Sequence, residues 1–142
     1  MLSNESKYAI RGVLYLAMHA DKQNKLGSAA VSEKTNIPAP FLAKIFQKLS
    51  REELILSAKG PRGGFYLSDE KLQNSLLDII ECIDGLGAFN TCFIGLPNCS
   101  DKNPCSIHHI AAHWRDQLIA ELKVKTIGEM AENARSGDFR VF

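Results

Sequence analysis

The stretch 40–68, "PFLAKIFQKLSREELILSAKGPRGGFYLS", changes its periodicity midway along. At its start Leu42, Ile45, Phe46 and Leu49 recur at helical spacing, and Pro40 suits the first turn of that helix. Phe41, Lys44 and Lys48 are left on a different face, which is basic with one aromatic. Further on, a pair of short apolar runs, "LILSA" and "GFYLS", flanks "KGPRG". That is the pattern of a β-hairpin with a stiff glycine- and proline-rich tip.

Working toward the N-terminus, "NIPAP" interrupts the chain, because proline disfavours helix in the residue before it. A short helix precedes this break, with Ser28 as its expected N-cap and its end near Thr35 or Asn36. "DKQNKLG" is a polar turn, and before it "SKYAIRGVLYLAMHA" places Ile10, Val13, Leu14 and Ala17 on one helical face. Two short helices across a tight turn, a basic outer face and a hairpin make a winged helix-turn-helix over 1–67.

Toward the C-terminus, "LQNSLLDIIECIDG" carries Leu76, Ile79, Ile80 and Ile83 on one helical face, stopped at Gly85, within a connecting region 68–90. Cys82 reads there as a small buried hydrophobe. Residues 91–108 form a cysteine-rich loop. From His108 a long helix resumes, with Ile110, Trp114, Leu118 and Leu122 on every fourth residue. A last short helix starts at Thr126, with Glu129 completing a capping box, so that 109–142 holds a dimerisation helix and a C-terminal short helix. The expected class is mainly α with a small β-hairpin wing, joined to a long C-terminal dimerisation helix.

Net charge is +1, but its distribution is uneven. Residues 1–64 hold ten Lys/Arg against five Asp/Glu, and 65–142 hold seven against eleven. The front half is therefore the half suited to a polyanion. A helix fits the major groove, where Lys44 and Lys48 can meet phosphates or guanine edges and Phe41 a thymine methyl. Lys59 and Arg62 sit on the hairpin tip, where an arginine can enter a narrow minor groove. Ser28 and Pro40 complete the expected DNA-facing set. No phosphate-cradling glycine loop opens a helix, and no nucleophile stands beside a partnered base, which argues against an enzyme. No apolar run reaches the roughly 18 residues of a membrane span, and the N-terminus lacks a secretion-signal pattern. A cytoplasmic protein with reduced thiols is the expectation.

Cys92, Cys99, Cys105 and His108 are separated by six, five and two residues. Only the last gap suits a zinc pair. Three spread thiolates and one imidazole suit a cluster of two or more irons better, because the metal–metal span lets ligands stand apart. Structural zinc and a metal-free thiol switch are the competing readings. His109 and His113 read as solvent-facing or capping residues of the next helix, each an alternative to His108 as the fourth ligand.

With "SKYAIRGVLYLA", "FLAKIFQKL", "KGPRGGFYLS", "LLDIIECIDG" and the three-cysteine loop before "HW", the sequence resembles the IscR/NsrR/CymR (Rrf-two) family of winged-helix transcription regulators over nearly its whole length. The resemblance implies a homodimer crossed by the helix bearing Ile110, Trp114, Leu118 and Leu122, reading a pseudo-palindromic double-stranded DNA operator. It also implies an iron–sulfur cluster on Cys92, Cys99 and Cys105. In the IscR-like branch the fourth ligand is a histidine three positions after the last cysteine, which His108 matches. In the nitric-oxide-sensing branch it is a carboxylate near the N-terminus, at about Lys7, and lysine cannot replace it. Histidine and a 2Fe-2S cluster are thereby preferred to 4Fe-4S, with Glu5 as a remote alternative. The first cysteine gap is one residue longer than in the IscR pattern. The implied function is a regulator sensing cluster status, redox stress or nitric oxide. A cluster-free thiol/disulfide regulator and an iron–sulfur electron carrier or delivery protein are the alternatives.

Overall fold

The computed structural model describes residues 2–137 and 140. Six helices and one hairpin follow in order: α1 (Asn4–His19), α2 (Ser28–Thr35), α3 (Ala39–Arg51), β1 (Leu56–Ala58), β2 (Gly64–Tyr66), α4 (Leu76–Asp84), α5 (His108–Val124) and α6 (Ile127–Arg135). Short 3-10 turns occupy Lys71–Gln73 and Leu86–Asn90. The mainly helical class with a two-stranded wing is as the sequence predicts.

Helix α1 is the hub. Its Ala9, Val13, Leu16 and Ala17 are buried with Leu42, Ile45, Phe46 and Leu49 of α3, Ile79 and Ile83 of α4, and Ile127 and Ala131 of α6. Ile10, placed in the core stripe by its spacing, is half-buried. Ser3 caps α1 by accepting from the Ser6 amide, and its own amide donates to Asp84 at 3.0 Å, tying the start of α1 to the end of α4. Arg11 donates to the Thr35 carbonyl at 2.7 Å, satisfying an otherwise open acceptor at the end of α2. Asn36 then turns the chain in the left-handed region (φ 58°), which asparagine tolerates.

One cap differs from expectation. Gly27, not Ser28, is the N-cap of α2: its carbonyl accepts from the Val31 amide, while Ser28 is already helical. The cause lies just upstream. Leu26 exchanges backbone hydrogen bonds with Phe65 of β2 at 2.8 and 3.1 Å, so the chain leaves extended pairing at Gly27.

The wing pairs Leu56 with Tyr66, Ser57 with Phe65 and Ala58 with Gly64, antiparallel, and Leu26 bridges Phe65 from the other edge of β2. The Phe65 ring lies 5.1 Å from that of Phe46, which anchors the hairpin to the core. Gly64 is required here twice over. Its φ is +144°, and a Cβ would stand 2.8–2.9 Å from the Leu26 backbone.

Helices α4 and α6 each begin with a capping box, Ser75 with Asp78 and Thr126 with Glu129. The two starts are joined, since Ile127 N donates to Asn74 O at 2.8 Å, and Arg135 at the far end of α6 donates to Ala17 O at 2.6 Å. Helix α6 therefore packs into the core of the front module.

Helix α5 has no fully buried residue, and Ile110 and Trp114 are 63% and 67% exposed. Leu122, expected on the same stripe, turns instead toward its own chain, where with Ile119 it covers Leu77, Ile80 and Phe89. A four-residue step overshoots a helical turn by about 40°, so three steps carry Leu122 about a third of the way round from Ile110.

Gly64→Ala is expected to destabilise the domain by about 1–3 kcal/mol through backbone strain and the Leu26 clash, whereas Gly87→Ala, which meets open space, should stay within about 0.5 kcal/mol. Urea unfolding of both variants checks this.

Candidate metal centre and nucleic-acid interface

Residues 91–107 link α4 and its following 3-10 turn to α5, and they fold back so that the Sγ atoms of Cys92, Cys99 and Cys105 all lie within 4.8 Å of one another. Cys92 Sγ and Cys105 Sγ are 3.8 Å apart. Two sulfurs on one tetrahedral metal with bonds of about 2.3 Å stand about 3.8 Å apart, so this pair can share a metal atom. Thiolates with a neighbouring imidazole are donors for zinc or iron–sulfur centres.

His108 opens α5, and its Nδ1 lies 3.1 Å from Cys99 Sγ. Its Nε2 lies 2.8 Å from Asp101 Oδ1 on the loop between Cys99 and Cys105. The Cys105 amide donates to Cys99 Sγ at 3.4 Å. His109 and His113 are exposed on α5, and Glu5 and Lys7 are exposed on the first turns of α1.

The sulfurs differ electrostatically. The Cys92 thiol is lowered to about 7, chiefly by the Leu96 amide and further by the Ile94 amide and the Cys99 and Cys105 thiols, against some desolvation. Gly95 makes this possible, because its φ of +81° turns the loop back over Cys92. Cys99 moves the other way: although the Cys105 amide favours its thiolate, desolvation and the two adjoining thiols raise it. The hydrogen bond from His108 holds Asp101 below the usual carboxylate range. Cys82 is only half-buried at the core edge, and desolvation raises its thiol.

Helix α3 presents Pro40, Lys44, Gln47 and Arg51 to solvent on one stripe, at steps of four, three and four residues. This stripe is opposite the buried Leu42, Ile45, Phe46 and Leu49. Phe41 and Lys48 flank it. Phe41 is 56% exposed with its ring 6.2 Å from that of Tyr8 on α1. Lys48, expected on the outward face, is half-buried and donates to the Ile83 carbonyl of α4 at 3.2 Å. Gln47 and Arg51 escape a count that starts from Phe41; counting from Pro40 opposite the core finds them. Lys59 and Arg62 are exposed at the wing tip, and Ser28 is half-buried.

Residues 2–133 match the sequence profile of the Rrf2 family, described as an iron-dependent transcriptional regulator. The chain is 34% identical over 132 residues to an HTH-type transcriptional regulator of Aquifex aeolicus, covering 92% of this chain and 90% of the relative. It is 26% identical to the HTH-type transcriptional regulator IscR of Cronobacter sakazakii, covering 93% and 80%. Among solved structures, T. potens IscR superimposes with a TM-score of 0.72 at 18% identity, covering 99% of this chain and 92% of that one. CymR, the global cysteine regulator of B. subtilis, gives 0.72 at 19% identity, covering 93% and 96%. Both have the same winged-helix fold. No helix among the described residues is long and apolar enough to cross a membrane. A profile match over nearly the whole length, on a chain with this hairpin wing and this basic helix, assigns the protein: it belongs to the Rrf2 family of DNA-binding transcriptional regulators.

Proposed function

We propose that this protein is a cytoplasmic, homodimeric regulator that reads a pseudo-palindromic operator and senses iron–sulfur cluster status, redox stress or nitric oxide. Its sensing group is a cluster held by Cys92, Cys99, Cys105 and His108. The observation that carries this reading is the convergence of three sulfurs within 4.8 Å beside the imidazole that starts α5. One histidine among the donors favours 2Fe-2S over 4Fe-4S. When bound, such a cluster supplies one-electron redox chemistry and a site open to oxidants and nitric oxide.

The residues themselves do the rest. Cys92, Cys99 and Cys105 draw loop 92–105 against the first turn of α5. Ile110, Trp114 and Leu118 form an exposed apolar face on that helix, of the kind that a second α5 covers in a dimer. Lys44, Gln47 and Arg51 of α3 meet the major groove, with Pro40, Phe41 and Ser28 at its edges, while Lys59 and Arg62 reach the flanking backbone or minor groove. Lys48 holds α3 to the end of α4, so loop rearrangement beyond α4 biases the placement of the reading helix.

A second reading keeps DNA binding and makes the thiols the switch. It is favoured by the 3.8 Å approach of Cys92 and Cys105 Sγ and by the lowered Cys92 thiol. In it, a Cys92 thiolate attacks a peroxide to give a sulfenic acid and hydroxide. Cys105 then displaces water, and a disulfide forms.

Anaerobic purification is expected to give a coloured protein with iron and sulfide in equal amounts; a colourless protein that takes up only zinc would exclude the cluster. In metal-free protein, alkylation by iodoacetamide should label Cys92 ahead of Cys99, its rate climbing as pH rises through about 7, because the thiolate forms there. Mass mapping after peroxide then decides the second reading by the presence or absence of a Cys92–Cys105 bridge. For DNA, Lys44→Ala should reduce the slope of log Kobs against log[salt] by about one per lysine removed from the complex. Lys48→Ala should leave that slope nearly unchanged, and salt titrations of operator binding separate the two lysines.

A further inference from the structure

The His108 ring is held from both sides. Nδ1 faces Cys99 Sγ at 3.1 Å, and Nε2 meets Asp101 Oδ1 at 2.8 Å. An ionised carboxylate only accepts hydrogen bonds, so the imidazole proton belongs on Nε2, and the lone pair of Nδ1 is turned toward the sulfurs. We propose that Asp101 is the positioning residue of the metal centre: its carboxylate fixes the tautomer and orientation of His108 so that Nδ1 is the ligating atom. The proposal rests on the reading of Cys92, Cys99, Cys105 and His108 as ligands.

Asp101 is not a stray surface acid. It sits in a closed turn in which Ser100 and Asn103 exchange backbone hydrogen bonds at 3.0 and 3.2 Å, and Asn103 Nδ2 donates to Asn98 O at 3.1 Å. The turn lies within the five residues between Cys99 and Cys105, so the segment that carries two sulfurs also carries the group that aims the imidazole. A carboxylate on the distal nitrogen of a ligating histidine makes the other nitrogen a better donor, and its loss typically weakens metal retention about 10–100-fold. The Asp101 side chain is 91% exposed whereas that of His108 is 11% exposed. Water competes for this hydrogen bond, which puts the expected effect at the low end of that range.

The test compares wild type, Asp101→Ala and Asp101→Asn. In metal-free protein, nitrogen-15 spectra read the His108 ring directly. Wild type should carry its proton on Nε2 with slowed solvent exchange, Asp101→Ala should lose the slowing, and Asp101→Asn, which keeps an acceptor oxygen, should retain part of it. In anaerobically reconstituted protein, Asp101→Ala should lose iron to a chelator about tenfold faster and shift the cluster midpoint potential upward. The nitrogen hyperfine coupling of the reduced cluster should change with it, and Asp101→Asn should lie between. Unchanged thermal unfolding of the metal-free variants separates positioning from folding. A proton on Nδ1 in wild type, or identical exchange, potential and iron loss in Asp101→Ala, overturns the proposal. Wild type that takes up no iron and sulfide overturns the ligand reading instead, and with it the role of Asp101 at a cluster, whereas the ring spectra still show whether the contact itself exists.

Discussion

The crossing of α1 over α3 at Gly12 sets the geometry of the molecule. A Cβ at Gly12 would stand 3.0 Å from both Leu42 Cδ2 and Phe46 Cε1, so these side chains pack directly on the bare Gly12 backbone and would have to give by a few tenths of an ångström to admit one. That approach buries Leu42 and Phe46 completely, each burial worth about 2–3 kcal/mol. It also fixes the rotation of α3 about its axis. Once Leu42, Ile45, Phe46 and Leu49 face α1, the stripe of Pro40, Lys44, Gln47 and Arg51 has to face solvent. Helix α1 also packs against α4 and α6, so α3 and the helix leading to the cysteines share one core.

The cysteine loop is built by other means. Among its residues Phe93, Ile94 and Leu96 are exposed, and α5 buries none of its side chains fully, so apolar burial within one chain contributes little to its shape. Local turns replace a core: Gly95 N on Cys92 O, the Ser100–Asn103 exchange, His108 N on Cys105 O, and the amide of Cys105 on Cys99 Sγ. Sulfurs brought together by backbone turns are crowded yet half-exposed. The small cluster of Leu77, Ile80 and Phe89 under Ile119 and Leu122 is what fastens α5 to the rest.

How much of this the sequence discloses follows from the range of each interaction. Periodicity and caps are local, so the α3 stripe, the Ser75–Asp78 and Thr126–Glu129 boxes and the glycine-tipped wing are readable directly. The three cysteines and His108 announce themselves by chemistry and proximity in the chain. What escapes is set by partners distant in sequence. The pairing of Leu26 with Phe65 moves the cap of α2 to Gly27, and the join of Thr126 to Ser75 draws α6 into the front core. Leu122 is drawn inward by Leu77 and Phe89, which no four-residue rule contains. Asp101 is hidden for a related reason, since an acid in a turn-forming tract carries no signal until the fold lays it against an imidazole seven residues on.

Lys48 shows how a basic helix can serve two ends. By spacing it belongs beside Phe41 and Lys44, yet its ammonium meets the Ile83 carbonyl at the C-terminus of α4, where open carbonyls and the helix dipole favour a cation. Asp84, the next residue, accepts from the amide and hydroxyl of Ser3 at the start of α1. Three helix ends thus converge one step before Gly85, whose φ of +73° releases the chain toward the cysteines. Because these contacts are polar and half-exposed, each is individually weak, and their joint geometry matters more than their summed energy. The charge of Lys48 is committed to that junction at the expense of the solvent-facing stripe.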